Sequence, residues 1–155
     1  LDNRAAWNTF VWFATLVALA GGLSLVGFVN WFGGMVGGQI SHFDPLMAMV
    51  ALVVIFYLLH YFFASVTAHV TALLPVILAA ASGIAGLDMQ MFILLLLPTL
   101  GFMGILTPYG TGPSPVYYGS GYLPSALFWR LGAIFGLLFL VIWLVVGLPW
   151  LMVIS

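Results

Sequence analysis

Two short polar stretches stand inside an otherwise apolar chain and hold most of the groups able to meet a ligand. The first is Ser65-Val-Thr-Ala-His-Val-Thr71 and the second is Thr107-Pro-Tyr-Gly-Thr-Gly-Pro-Ser-Pro115. The second has three prolines and two glycines in nine residues, so no helix continues through it: proline lacks an N–H and clashes with the preceding turn, and glycine is costly in a helix. A helix that begins at either stretch exposes unpaired backbone N–H groups at the positive end of its dipole. Ser65, Thr67 and Thr111 add hydroxyl donors to those amides. Two such N-termini converging inside a membrane would hold an anion, above all a carboxylate. A cation site would instead combine free carbonyls with an acidic side chain, and neither stretch contains Asp or Glu. His69 is the only histidine in either stretch, and protonated it would set a positive charge beside the anion. His42 and His60 are expected as packing or interface residues, as are Tyr109, Tyr117 and Tyr118.

Enzyme chemistry finds little support in the remaining residues. There is no pair of carboxylates, no thiol and no metal-ligand spacing, and Gly119-Ser120-Gly121 lacks the frame of a nucleophile elbow. No lysine is present, so no phosphate loop exists, and the net charge of −1 offers no basic patch to nucleic acid.

The composition sets where these groups work. The 155 residues are 65% hydrophobic and 3% charged, the charges being Asp2, Arg4, Asp44, Asp88 and Arg130. A soluble domain is about 25% charged, so this chain cannot cover a water-facing surface and is expected in a bilayer. Backbone left bare in lipid costs several kcal/mol per group; breaks such as 107–115 therefore persist only against protein or a wet cavity.

The charges also punctuate the elements that must position the two stretches. Residues 1–44 are expected to hold a first spanning helix, roughly Trp7–Val29, which Gly21, Gly22 and Gly27 predispose to bend, and a connector to Phe43. Gly33/Gly37 and Gly34/Gly38 in that connector have the small-xxx-small spacing, but a flexible loop is the expectation there. Asp44-Pro45 reads as an N-cap followed by proline at the first helical position. Residues 45–87 give two apolar arms around Ser65–Thr71, either one long helix or a helical hairpin with its tip near 63–67, and propensity does not decide between them. Residues 88–123 read as a helix kinked at Pro98 and broken at 107–115. Residues 124–155 read as the last transmembrane helix, Ala126–Val153, with Gly132 and Gly136 forming a small face for close packing. Arg130 near its start is expected at a cytoplasmic end by the positive-inside bias. The chain opens on Leu1 without a signal-peptide layout, and a longer parent chain is expected, ending naturally after its last spanning helix.

The polar stretches also resemble known motifs. Ser65-Val-Thr-Ala-His-Val-Thr-Ala-Leu-Leu-Pro75 is similar to the second Ser-Asn-Thr signature of the divalent anion–sodium symporter family, and Gly110-Thr-Gly-Pro-Ser-Pro-Val-Tyr-Tyr-Gly119 resembles the loop that breaks a helix in its second half. The wording Leu106–Tyr122 followed by Phe128-Trp-Arg-Leu-Gly-Ala-Ile-Phe-Gly136 is similar to the exchanger branch of that family, bacterial carriers that exchange citrate or tartrate against succinate and 2-oxoglutarate against malate. The resemblance implies an all-α integral membrane protein built from two inverted repeats, this chain being the C-terminal one, with a re-entrant helical hairpin and an unwound transmembrane helix. It implies a multi-pass homodimer in the cell inner (plasma) membrane that moves its substrate site as an elevator and needs the missing N-terminal repeat. It also implies a di- or tricarboxylate substrate held by Ser65, Val66, Thr67 and His69 from the hairpin tip and by Gly110, Thr111, Gly112, Pro113 and Ser114 from the loop. Val66 stands where sodium-coupled members carry Asn, and its side chain cannot coordinate an ion; Ser114 and Pro115 likewise replace the loop's Asn. No cofactor and no metal are expected, sodium is disfavoured, and His69 is the expected cationic substitute. A sodium-coupled symporter is the alternative, and a non-transporting membrane scaffold the next. The scaffold predicts unbroken helices with Ser65 and Thr111 far apart.

Overall fold

A computed structural model describes residues 43–154 throughout, together with scattered positions between 7 and 38. The expectations for Trp7–Val29, for Gly33 and Gly37 and for His42 lie wholly or partly outside the described residues. Gly27 is described; its φ of +76° is left-handed backbone that favours glycine, at the point where a bend was expected.

From Asp44 onward every regular element described is a helix. α1 spans Pro45–Leu59: the Leu46 N–H donates to Asp44 Oδ1 at 2.9 Å, and Pro45 occupies the first turn, where its missing N–H costs nothing. A 3₁₀ turn, His60–Phe62, tightens its end, and the chain then extends through Phe63 and Ser65. α2, Val66–Ser82, starts from Ser65, whose Oγ accepts the Ala68 N–H at 3.3 Å. Propensity left one long helix and a hairpin both open; packing decides for reversal. Gly86 returns to Pro45, where an added Cβ would stand 3.5 Å from Pro45 Cγ, and its φ of +80° makes the turn. Between these ends Ala48, Leu52 and Val53 of α1 share one core with Ile77, Ala80 and Ala81 of α2.

α3, Met89–Leu96, is capped by Asp88, which accepts the Met91 N–H at 3.0 Å. It stops before Pro98, and the carbonyls freed there find side-chain donors: Trp143 Nε1–H donates to Leu95 O at 2.8 Å and Thr99 Oγ1–H to Leu96 O at 2.6 Å. α4, Thr99–Phe102, runs into a 3₁₀ turn, Met103–Ile105. Turns occupy the chain to Pro113. α5, Ser114–Gly119, then begins inside the proline-rich stretch, with Pro115 in its first turn, where a helix tolerates proline.

α6, Ser125–Ile142, continues through a π-turn, Trp143–Gly147, into α7, Leu148–Ile154. The expected small face is where this helix meets the rest. A Cβ on Gly132 would stand 2.6 Å from Ile105 O, and Tyr57 Oη–H donates to Gly136 O at 3.0 Å. Its other side, including Ile134, Leu137 and Val141, is exposed apolar surface. Pro45–Phe62 and Ser125–Ile154 are long and apolar enough to cross a membrane, and Val66–Ser82 and Met89–Ile105 are shorter apolar helices. With the near absence of charge, this describes an all-helical membrane protein.

Candidate functional site

The two polar stretches both approach Gly104. Gly104, in the 3₁₀ turn after α4, lies between them: a Cβ there would overlap Thr111 Cγ2 and stand 3.9 Å from Val66 Cγ2. A glycine inside an apolar helical arm loses about 1 kcal/mol against alanine, and here its missing side chain allows the approach. Thr111 and Ser114 share a hydroxyl–hydroxyl bond of 2.6 Å, so this pair enters any ligand contact as a unit. Ser65 spends its Oγ as the cap of α2, which leaves the first N–H groups of that helix, at Val66 and Thr67, without intrahelical acceptors.

A cleft of about 480 Å³, within the range of small-ligand sites, opens beside the loop. Its lining combines the hydroxyl-bearing Thr107, Thr111, Ser114 and Tyr117 with Phe128, Phe135 and Phe139 of α6 and with Gly101 and Gly104. Of the sequence-derived site residues, only Thr111 and Ser114 line this cleft. Val66 lies near Gly104 of the lining, Thr67, Gly112 and Pro113 are exposed, and Gly110 is buried.

His69 is fully buried by this chain alone. Its ring lies 4.3 Å from that of Phe56, 5.0 Å from Phe63 and 5.2 Å from His60, and neither ring nitrogen has a hydrogen-bond partner. His60, expected to be a packing residue, is buried and also bonded: its Nε2 lies 3.0 Å from Gly110 O. A carbonyl only accepts, so Nε2 carries the proton. Sequence reading missed both this contact and Gly104. For Gly104 a signal existed, a glycine one turn after Gly101 in an apolar arm; for a pairing 50 residues apart there was none.

The arrangement offers hydroxyls and helix-start amides to a ligand. The acidic side chains among the described residues, Asp44 and Asp88, are both engaged as helix caps. It suits an anion with several oxygens better than a bare cation.

Comparison with known proteins gives the same direction. Curated relatives include the L-tartrate/succinate antiporter of Escherichia coli K12, 53% identical over 154 residues, and that of Shigella flexneri, also 53% identical. The L-tartrate/succinate antiporter of Escherichia coli O6:K15:H31 is 52% identical. Each alignment covers 99% of this chain and 32% of the relative, so the chain spans about a third of the length of the curated relatives it matches. The profile of the family described as the sodium:sulfate symporter transmembrane region matches residues 1–155. The chain therefore belongs to that family, the divalent anion–sodium symporters, as its two polar motifs implied.

Proposed function

We propose that the protein containing this chain is a secondary carrier that exchanges dicarboxylates, with L-tartrate against succinate as the leading pair and citrate or malate as further candidates. The observation that carries the reading is the convergence of Val66 and Thr111 on Gly104, with no acidic side chain in either stretch. A scaffold has no use for a helix start and a broken loop brought to one glycine. The names of the relatives support exchange, and as carriers they support a function other than catalysis.

In this reading the chain is the C-terminal inverted repeat. Residues 45–87 form a re-entrant hairpin, 88–123 an unwound helix and 124–155 the last transmembrane helix, after a first spanning helix and connector in 1–44. A homodimer in the inner membrane, multi-pass and with Arg130 on the cytoplasmic side, moves the site as an elevator. Ser65, Val66 and Thr67 meet the substrate from the hairpin start and Gly110–Ser114 from the loop, and the N-terminal repeat supplies the other half. His69, the expected cationic substitute, lies behind the hairpin start, fully enclosed by the rings of Phe56, Phe63 and His60 with neither nitrogen bonded. An unpaired charge is costly in that place, so His69 serves here as a packing residue. Val66 leaves sodium without a side-chain ligand at that position, which favours exchange over sodium-coupled symport.

The test is reconstitution of the full-length protein in liposomes. Uptake of labelled L-tartrate is expected to require internal succinate and to persist when choline replaces sodium. Strict sodium dependence without internal succinate would establish the symporter instead. Absence of dicarboxylate flux under every condition would favour the scaffold.

A further inference from the structure

We propose that His60 is a positioning residue that fixes the substrate loop to the hairpin break. Two hydrogen bonds cross between the 3₁₀ turn His60–Phe62 and the loop, one in each direction. His60 Nε2–H donates to Gly110 O at 3.0 Å, and Tyr109 Oη–H donates to Tyr61 O at 3.0 Å. The first is fully enclosed. A Cβ on Gly110 would stand 2.6 Å from Gly104 O, 3.0 Å from His60 Nε2 and 3.1 Å from Thr107 Oγ1, so the peptide is held on three sides. The second is at the surface, since Tyr109 is 37% exposed. Of the two, the His60 bond therefore governs where the loop sits.

Its chemistry matters to an anion site. Gly110 is the residue before Thr111, and a peptide carbonyl left free there would bring the negative end of its dipole to the ligand. His60 takes that oxygen. Its other nitrogen, Nδ1, is buried without a partner and holds only a lone pair in the neutral ring, a smaller loss than an orphaned N–H. The bond also makes the loop follow the hairpin break, so that the two halves of the anion site move together.

The transport consequence rests on the anion-site reading above; the clasp itself does not, so two readouts are used in the full-length protein. In liposome exchange, His60→Phe, which keeps a buried ring without the donor, is expected to raise KM for the dicarboxylate about tenfold with little change in maximal rate, the size expected for orphaning one buried acceptor. His60→Gln keeps a donor and should stay within about threefold of wild type. The second readout is thiol labelling of Gly112→Cys, in a background freed of other cysteines; this chain contains none. Gly112 is exposed and a Cβ there meets nothing within 4 Å. Labelling should accelerate about fivefold or more with His60→Phe or with His60→Asn, a polar side chain too short to reach, and little with His60→Gln. Unchanged KM and unchanged labelling in the Phe and Asn variants would overturn the proposal. So would equal losses of maximal rate in all three variants at constant KM, which would assign His60 to folding alone. If the wild-type protein carries no dicarboxylate, the function proposed above falls and labelling alone decides on the clasp.

Discussion

Replacing Gly104 with alanine puts a methyl group where Thr111 Cγ2 now stands, and the structure says which way the site must yield. The added Cβ would overlap that methyl while remaining 3.9 Å, an ordinary contact, from Val66 Cγ2. Restoring a normal carbon–carbon separation of about 3.5–4.0 Å requires Thr111 to move by more than ~1 Å. Thr111 cannot move alone, because its hydroxyl is bonded to Ser114 Oγ at 2.6 Å. Overpacking of this kind costs about 1–3 kcal/mol. If about half of that is felt as substrate affinity, KM for the dicarboxylate rises about two- to twelvefold, at about 1.4 kcal/mol per decade. Thr111→Ser removes the offending methyl and keeps the hydroxyl. The double variant Gly104→Ala/Thr111→Ser should therefore return to within about threefold of Thr111→Ser alone, a coupling of the size neighbouring residues show in such cycles. The assay is liposome exchange with varied external substrate, normalised to reconstituted protein. Wild-type KM in Gly104→Ala, or no rescue in the double variant, would refute the argument that Gly104 sets the spacing of Val66 and Thr111.

Two further outcomes follow from hydrogen bonds described above. Ser65→Ala removes the cap of α2 and should cost about 0.5–2 kcal/mol, seen as faster hydrogen exchange at Val66–Ala68 and a raised KM, whereas Ser65→Asn should preserve most of the cap. Trp143→Phe leaves Leu95 O without its donor beside Pro98; a loss of about 1–3 kcal/mol should appear as a lower Tm in detergent without a change in substrate selectivity.

Local chemistry was legible where the partners are neighbours in sequence. Asp44-Pro45 announces the start of α1 because a cap and its amide lie two residues apart. The break at 107–113 follows from proline and glycine content, and the membrane setting from five charges in 155 residues. Reversal after Phe63 was only half legible: the polar stretch marks a break, but the direction taken next is set by the core that Ala80 and Ala81 share with Ala48 and Leu52, which no local preference encodes. Within the site, Thr111 and Ser114 were found from hydroxyls in a broken helix, whereas Gly104 was hidden in what read as one apolar arm, Met89–Leu106. Its role is the absence of an atom, and that becomes visible only when Thr111 and Val66 are seen on either side. The His60–Gly110 bond escaped for the same reason: its length in sequence is 50 residues.

The π-turn at Trp143–Gly147 bears on how the last helix keeps its face. Gly132, Gly136 and Leu140 are buried before it, and Gly147 and Leu151 after it. At about 100° per residue, Leu140 and Gly147, seven residues apart, would lie within about 20° of each other on a plain α-helix. The wider turn, closed by the Leu148 N–H on Trp143 O, takes in one residue more than an α-helical turn. Removing a single residue from 143–147 would therefore shorten this segment and leave an ordinary α-helix with both ends in register, whereas removing one from 133–139 would roll everything beyond it by about a quarter turn. The last helix tolerates a change of length at one place, and that place is two turns beyond the glycine face that packs against the substrate loop's own support.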